Sequence, residues 1–168
     1  MTHIGVTGHQ RLDAPEGWSW VDIVMRDELA KIAPPLIAVT SLAVGADQLL
    51  ARLVLGRGGS IYAVIPFADI ERSFSPEDLL VFRELVQHAT VEVLDTPGTD
   101  EDAYLAAGQR VVDLSDILLA VWNGAPAKGK GGTADVVAYA IRRGVHLIHI
   151  NPLSHTVRHR YGSISLPT

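Results

Sequence analysis

The chain has 168 residues, 48% of them hydrophobic, with a formal net charge of −5 and a pI near 5.7. Such a length carries one domain with a full core, while the acidic balance and only 6% aromatic residues argue against a nucleic-acid surface or a base-stacking platform for single strands. The absence of cysteine excludes disulfides and thiolate metal sites, and with no signal-like or membrane-length apolar run the expectation is a cytoplasmic protein with no membrane partner.

In chain order, Ile4 to Thr7 reads as a short buried strand that ends in Gly8-His9-Gln10-Arg11. A helix follows over roughly Glu16 to Ile32, with an apolar stripe at Val21, Met25, Leu29 and Ile32, and Pro34-Pro35 ends it. Leu36 to Val39 is the second strand, closed by Thr40 to Asp47, and the next helix carries Leu49, Leu50, Leu53 and Val54 before Gly56. Ile61 to Ile65, a helix near Pro76 to Gln87, Val91 to Leu94, and a helix from Asp100 (read as its cap) to Val112 come next. Ile117 to Trp122, a helix to Arg143 and Val145 to Ile150 complete the series.

Strand and helix alternate throughout, and the strands are continuous apolar runs rather than alternating ones. Both features predict an α/β three-layer sandwich with a mostly parallel sheet of about six strands. Residues 1–150 are expected to form one domain, and residues 151–168, with His155, Arg158, His159 and Arg160, a polar basic tail that is loosely ordered or packs on a neighbouring subunit. Ligands of such sheets bind beyond the carboxyl ends of the strands. Three loops leaving those ends combine glycine with hydroxyl, amide or charged side chains: Thr7 to Arg11, Ser41 to Asp47, and Gly124 to Thr133.

The third loop dominates the reading. Four glycines between positions 124 and 132 join a buried strand to a helix for which Thr133 is the expected N-cap. Free N–H groups and a positive helix end then converge on one point, which suits an anion. The chain contains only Lys31, Lys128 and Lys130 as lysines, and two lie in this loop, as a phosphate-directed pair or as solubilising surface charge. Gly124 to Lys130 fits G-x-x-x-x-G-K, but Gly131 stands where a Walker A loop needs Ser or Thr for magnesium, so a P-loop NTPase is rejected.

The trio Gly5-Val6-Thr7-Gly8-His9, Ser41-Leu42-Ala43-Val44-Gly45-Ala46-Asp47 and Gly131-Gly132-Thr133 resembles the SLOG superfamily, which includes the DNA-processing A proteins and the Lonely Guy phosphoribohydrolases. The second element is similar to the S-G-x-A-x-G-x-D signature of the DNA-processing branch, with Leu42 in place of its glycine. The third is similar to the P-G-G-x-G-T-x-x-E loop of the Lonely Guy branch, whose catalytic glutamate position is Val136 here. The resemblance spans residues 3 to about 150. It implies a Rossmann-like domain that holds a nucleotide phosphate on the glycine-threonine loop, and a homodimer or homotetramer.

From the residues and the resemblance together, the expected ligand-binding set is Gly8, His9, Arg11, Ser41, Gly45, Asp47, Asn123, Lys130, Gly131, Gly132 and Thr133. Each has a plainer reading beside it. His9 contacts phosphate, acts as an acid, or is an exposed loop histidine; Arg11 grips phosphate or pairs with Asp13 or Glu16; Asp47 serves the ligand or only caps its helix. Asn123 donates to the ligand or forms a turn, and Trp122 is read as completing the core rather than stacking on a base. Asp69, Arg72 and Tyr104 are within reach of the mouth, but their spacing decides nothing. The alternating histidines of Val145 to His149 lack carboxylate partners at ligand spacing, so no metal is expected.

The function expected is binding of a nucleotide or nucleotide-derived ligand, as a sensor or sequestering module that needs no further cofactor. The alternative is an N-glycosidase or phosphoribohydrolase using Asp47 or Asp135 with His9. Asp135 lies one residue before the family glutamate, about 100° away around a helix. A DNA-binding module is a third reading, and it requires one basic face gathering Arg52, Arg57, Arg142, Arg143, Arg158 and Arg160.

Overall fold

The computed structural model of the protein describes residues 1–127 and 129–162. Its strands are β1 (Thr2–Gly8), β2 (Leu36–Thr40), β3 (Ser60–Ile65), β4 (Ala89–Val93), β5 (Ile117–Val121), β6 (His146–Asn151) and β7 (Thr156–Arg160). Between them run α1 (Gly17–Ala30), α2 (Ala46–Gly56), α3 (Pro76–Val86), α4 (Asp100–Asp113) and α5 (Thr133–Arg143). The strands form one sheet in the order β4-β3-β2-β1-β5-β6-β7, parallel except for the final antiparallel pair. The order grows leftward from β1 through β4 and then restarts on the other side of β1 with β5. The crevice between the ends of β1 and β5 is therefore the switch point at which such sheets open.

The two apolar faces of the sheet are covered separately. Val21, Met25 and Leu29 of α1, Leu50 and Val54 of α2, and Phe82 and Leu85 of α3 pack with Ile4, Val6, Ile61 and Leu119 on one face. Ala107 and Val111 of α4 with Val136, Val137 and Ala140 of α5 cover Val39, Val64, Leu118 and Ala120 on the other. Continuous apolar strands are required because successive side chains point into opposite layers. The three-layer α/β arrangement is the one the alternating pattern predicts.

Local details depart from the sequence expectation. Helix α4 is capped by Thr99, not Asp100: the Thr99 hydroxyl accepts the Asp102 N–H at 3.3 Å while the Asp102 carboxylate accepts the Thr99 N–H at 2.9 Å. This reciprocal pair satisfies two donors at once, which a lone Asp100 could not do. Residues 156–160, expected in a tail, form β7 against β6, with Ile150 opposite Val157. Residues 163–168 lie outside the described part. Among the described residues no helix is long and apolar enough to cross a membrane.

Candidate functional site

A cleft of about 1260 Å³ lies over the ends of β1 and β5 and is lined by all three loops singled out in the sequence. It is larger than the ~300–1,000 Å³ typical of small-molecule pockets. His9 is where the loops meet. Its backbone N–H donates to Val121 O at 3.0 Å, its carbonyl accepts the Ala46 N–H at 3.3 Å, and its Nε2 accepts the Asn123 N–H at 3.1 Å. An accepting Nε2 carries no proton, so in this arrangement the imidazole proton sits on Nδ1. One residue thus ties the β1–α1 loop to the start of α2 and to the segment after β5. Of the expected set, Gly8, His9, Arg11, Ser41, Asp47, Asn123, Lys130, Gly131, Gly132 and Thr133 all line the cleft, and Gly45 backs it from behind His9 and Gln10.

The β2–α2 loop is built around a buried carboxylate. Asp47 Oδ2 accepts the Thr40 hydroxyl at 2.9 Å and the Ser41 N–H at 3.0 Å, and the side chain is almost wholly buried. Burial pushes its carboxyl up to about 6, while the hydrogen bonds from Thr40, Ser41 and Ala43 act in the opposite direction. The Thr40 hydroxyl also accepts the Leu42 N–H at 3.0 Å, and Gln48 Nε2 donates to Leu42 O at 3.2 Å. These contacts hold Leu42 at a left-handed φ of 57° with its side chain fully buried. Counted back from Asp47, the S-G-x-A-x-G-x-D signature puts its serine at Thr40 and its glycine at Ser41, which corrects the register pairing Leu42 with that glycine. The hydroxyl at the signature's serine position is the one that grips the aspartate. Asp47 is therefore more than a helix-end charge: it shapes the loop that presents Ser41 to the cleft.

The glycine loop is built differently from the expectation. Gly132, not Thr133, occupies the N-cap position of α5, and its carbonyl accepts the N–H groups of Asp135 and Val136. Asp135 folds back so that its carboxylate accepts the Gly131 N–H at 3.0 Å. The loop thereby occupies one of its own donors, leaving the N–H groups of Gly132, Thr133 and Ala134 without partners inside the helix. Gly131 sits at φ 83°, and a Cβ there would lie 2.8 Å from Leu105 N, so glycine is needed for the loop to dock on α4. The ammonium of Lys130 pairs with Asp102 of the α4 capping box rather than standing free over the cleft. Lys128, its expected companion, lies outside the described residues. Val136 is buried against Gly108 of α4 and forms apolar lining of the cleft.

The Lys130 pair has a measurable signature. The Asp102 carboxyl is held at about 2, first by the hydrogen bond from Lys130 and then by the N–H and hydroxyl of Thr99. In Lys130→Ala the Asp102 pKa, followed by carboxyl-carbon NMR, is expected to rise towards the ordinary range. An unchanged value would mean that the Thr99 cap alone sets it.

Arg11 departs from both of its expected intramolecular partners. Its guanidinium meets Asp78 in the first turn of α3 at 2.9 Å, not Asp13 or Glu16, because the β1–α1 loop lies across that helix end. Trp122 donates through Nε1 to Ala125 O at 2.9 Å and tilts against His149 at 5.3 Å between ring centres; it packs on the α4–α5 core and also lines the cleft. Asn123 accepts the Ala125 N–H at 3.0 Å, which is turn chemistry. Tyr104 lines the cleft and meets Phe67 edge-on, whereas Arg72 binds Asp69 and Asp100 and does not line the cleft. Among the lining residues that the sequence reading did not assign to the site are two aromatic rings, Trp20 and His155. Trp20 precedes the apolar stripe of α1, and His155 belongs to the segment read as tail; no local pattern marks either one.

No protein-family model matches the chain, and no curated protein matches it in sequence. Solved structures are similar in fold. DNA processing protein A from Streptococcus pneumoniae superposes with a TM-score of 0.64 at 20% identity, covering 98% of this chain and 52% of that one. DNA processing protein A from Helicobacter pylori, in a study of its single-stranded DNA binding mode, gives 0.62 at 18% identity over 88% of this chain and 64% of that one. The structural-genomics target TM1055 gives 0.54 at 15% identity over 88% and 72%. The chain spans about half the length of the first of these proteins and under two thirds of the second. The Rossmann-like fold is shared with the DNA-processing proteins named by the sequence resemblance.

Proposed function

We propose that this chain binds a nucleotide or nucleotide-derived ligand in the cleft over β1 and β5, as a sensing or sequestering module. The observation that carries the reading is the convergence there of three strand-end loops with the N-terminus of α5, whose Gly132, Thr133 and Ala134 N–H groups suit a phosphate. Among the described residues, the Lys and Arg side chains that line the cleft are engaged by the protein itself, Arg11 by Asp78 and Lys130 by Asp102. Phosphate recognition on this reading therefore rests on backbone donors and the helix end rather than on Arg11 or Lys130.

The same geometry favours binding over turnover. Asp47 is committed to Thr40 and Ser41, Asp135 to Gly131, and the position of the family glutamate is an apolar residue in the wall. The N-glycosidase alternative needs a carboxylate poised at the ribose, and both candidates hold loop backbone instead. A second reading, single-stranded DNA binding, draws on what the Helicobacter pylori structure is described as showing. Against it, Arg52 and Arg57 belong to the α2 layer and Arg142 and Arg143 to the opposite α5 layer, so the arginines do not gather on one face. A cytoplasmic location, expected from the apolar patterning of the sequence, and a homodimer or homotetramer, implied by the sequence resemblance, go with the leading reading.

A thermal-shift panel separates these readings. AMP, ADP-ribose, a cytokinin riboside monophosphate and deoxynucleoside monophosphates are each added to the full chain, with an oligothymidylate at low salt in parallel. A true ligand at about a hundred times its Kd is expected to add about 2.7 kcal/mol of stability, with no free base released on prolonged incubation. Shifts with the oligonucleotide alone would favour the DNA reading, and catalytic release of base would favour the glycosidase.

A further inference from the structure

We infer that the Trp20–His155 ring stack, on the α1 side of the cleft, is a platform for a flat heteroaromatic ring, the base end of a ligand whose phosphate lies at α5. The inference deepens the proposed function and rests on it. The two rings lie nearly parallel, 4.7 Å between centres and 16° between planes, and both line the same cleft as Gly131, Gly132 and Thr133. Trp20 packs on the α1–α3 core and α5 belongs to the opposite layer, so the stack and the α5 N-terminus lie on different walls of one crevice. A nucleotide has this polarity: an anion at one end and an aromatic face at the other.

The turn that delivers His155 points the same way. Asn151 Oδ1 accepts the N–H groups of Leu153 and Ser154 at 3.0 and 3.2 Å, and the Ser154 and Thr156 hydroxyls meet at 2.8 Å. Within this pinned hairpin between β6 and β7, His155 takes a left-handed φ of 52°. A side-chain-bearing residue is disfavoured in that region, and glycine would close the turn with less strain. Strain of this kind persists where the surroundings over-determine it, and it clusters at ligand clamps. Here the consequence of the strain is an exposed imidazole held flat on an indole at the rim of the cleft. Stacking tolerates any base, so the wall supplies affinity for the ring, while edge contacts decide which base is taken.

The hairpin geometry supplies a clean variant. His155→Gly removes the ring and relieves the backbone, so the fold is expected to be kept or strengthened, as a denaturant midpoint will show. Titration calorimetry with AMP, adenosine and ribose 5-phosphate is then run on wild type and variant. The expected result is a loss of roughly tenfold in affinity for AMP and adenosine, with ribose 5-phosphate unchanged. Trp20→Leu, which keeps an apolar side chain but removes the indole, is expected to give the same selective loss. Equal affinity of wild type and His155→Gly for AMP overturns the platform but leaves the phosphate site standing. Selective loss of adenosine binding in a protein that never binds ribose 5-phosphate supports the platform and retires the phosphate reading. Failure of the wild type to bind any of these probes overturns both.

Discussion

Gly45→Ala is expected to destabilise the fold by at least about 3 kcal/mol, and to disorder the cleft before anything else. Gly45 sits at φ 91°, ψ −122°, a region that residues with a Cβ rarely enter. An added Cβ would lie 2.5 Å from His9 O, 2.6 Å from Gln10 O and 2.8 Å from Gln10 Cα. All three are backbone atoms, so no rotamer change relieves the clash. The β1–α1 loop would have to retreat, and with it the bonds from His9 N to Val121 O and from Ala46 N to His9 O. Gly56 is the internal control: at the end of α2, a Cβ there meets nothing within 4 Å. Gly56→Ala is expected to be neutral or to stabilise by up to about 1 kcal/mol, through the better helix propensity of alanine and its smaller unfolded-state entropy. Urea denaturation of the two variants measures the contrast. A wild-type midpoint for Gly45→Ala would show that the β1–α1 loop is free to move.

Asp47→Asn is expected to change how stability depends on pH. The folded carboxyl is pushed up to about 6 by burial, whereas the same group in the unfolded chain titrates near its ordinary value. Between those values the folded state holds a proton that the unfolded state has released. This group's contribution to stability is therefore present in full below about pH 4 and is lost as the pH rises towards about 6. Over that window the wild type is expected to lose about 3 kcal/mol relative to Asp47→Asn, whose amide oxygen still accepts from Thr40 and Ser41 without bearing charge. Asp47→Ala behaves differently. It leaves the Thr40 hydroxyl and the Ser41 N–H without their acceptor, at a cost of about 1–3 kcal/mol for the buried Thr40 donor and less for the half-buried Ser41 N–H, at any pH. Denaturant titrations from pH 4 to pH 7 test both statements. A wild-type-minus-Asn difference that stays flat with pH would place the carboxyl in water.

The two variants act on one junction. Gly45 lets the β2–α2 loop pass under His9, and Asp47 holds the other end of that loop to Thr40 at the tip of β2. The cleft thus depends on a contact too close for any side chain and on a carboxylate kept out of water. Both features explain why the glycine and the aspartate stand two residues apart at the start of a helix. The glycine sets the approach of the backbone, and the aspartate closes the turn it creates.

The sequence by itself determined the layer architecture, the mostly parallel character of the sheet and the three loops of the cleft; the strand order came only from the tertiary structure. Runs such as Leu118 to Val121 are apolar on both faces, and stripes such as Val21, Met25 and Leu29 are apolar on one; these are local patterns that burial demands wherever they fold. Glycine and hydroxyl residues after β1, β2 and β5 were equally legible, because turn chemistry is also local. Only the tertiary structure decided who partners whom. Arg11 finds Asp78 across 67 positions, Lys130 finds Asp102 across 28, and His9 accepts from Asn123 across 114. Charged and polar side chains bear many compatible partners, and their spacing along the chain does not say which one packing brings near. The same holds for β7 and for the Trp20–His155 stack: a short polar strand and a lone ring on a turn acquire meaning only when β6 offers an edge and α1 offers a ring.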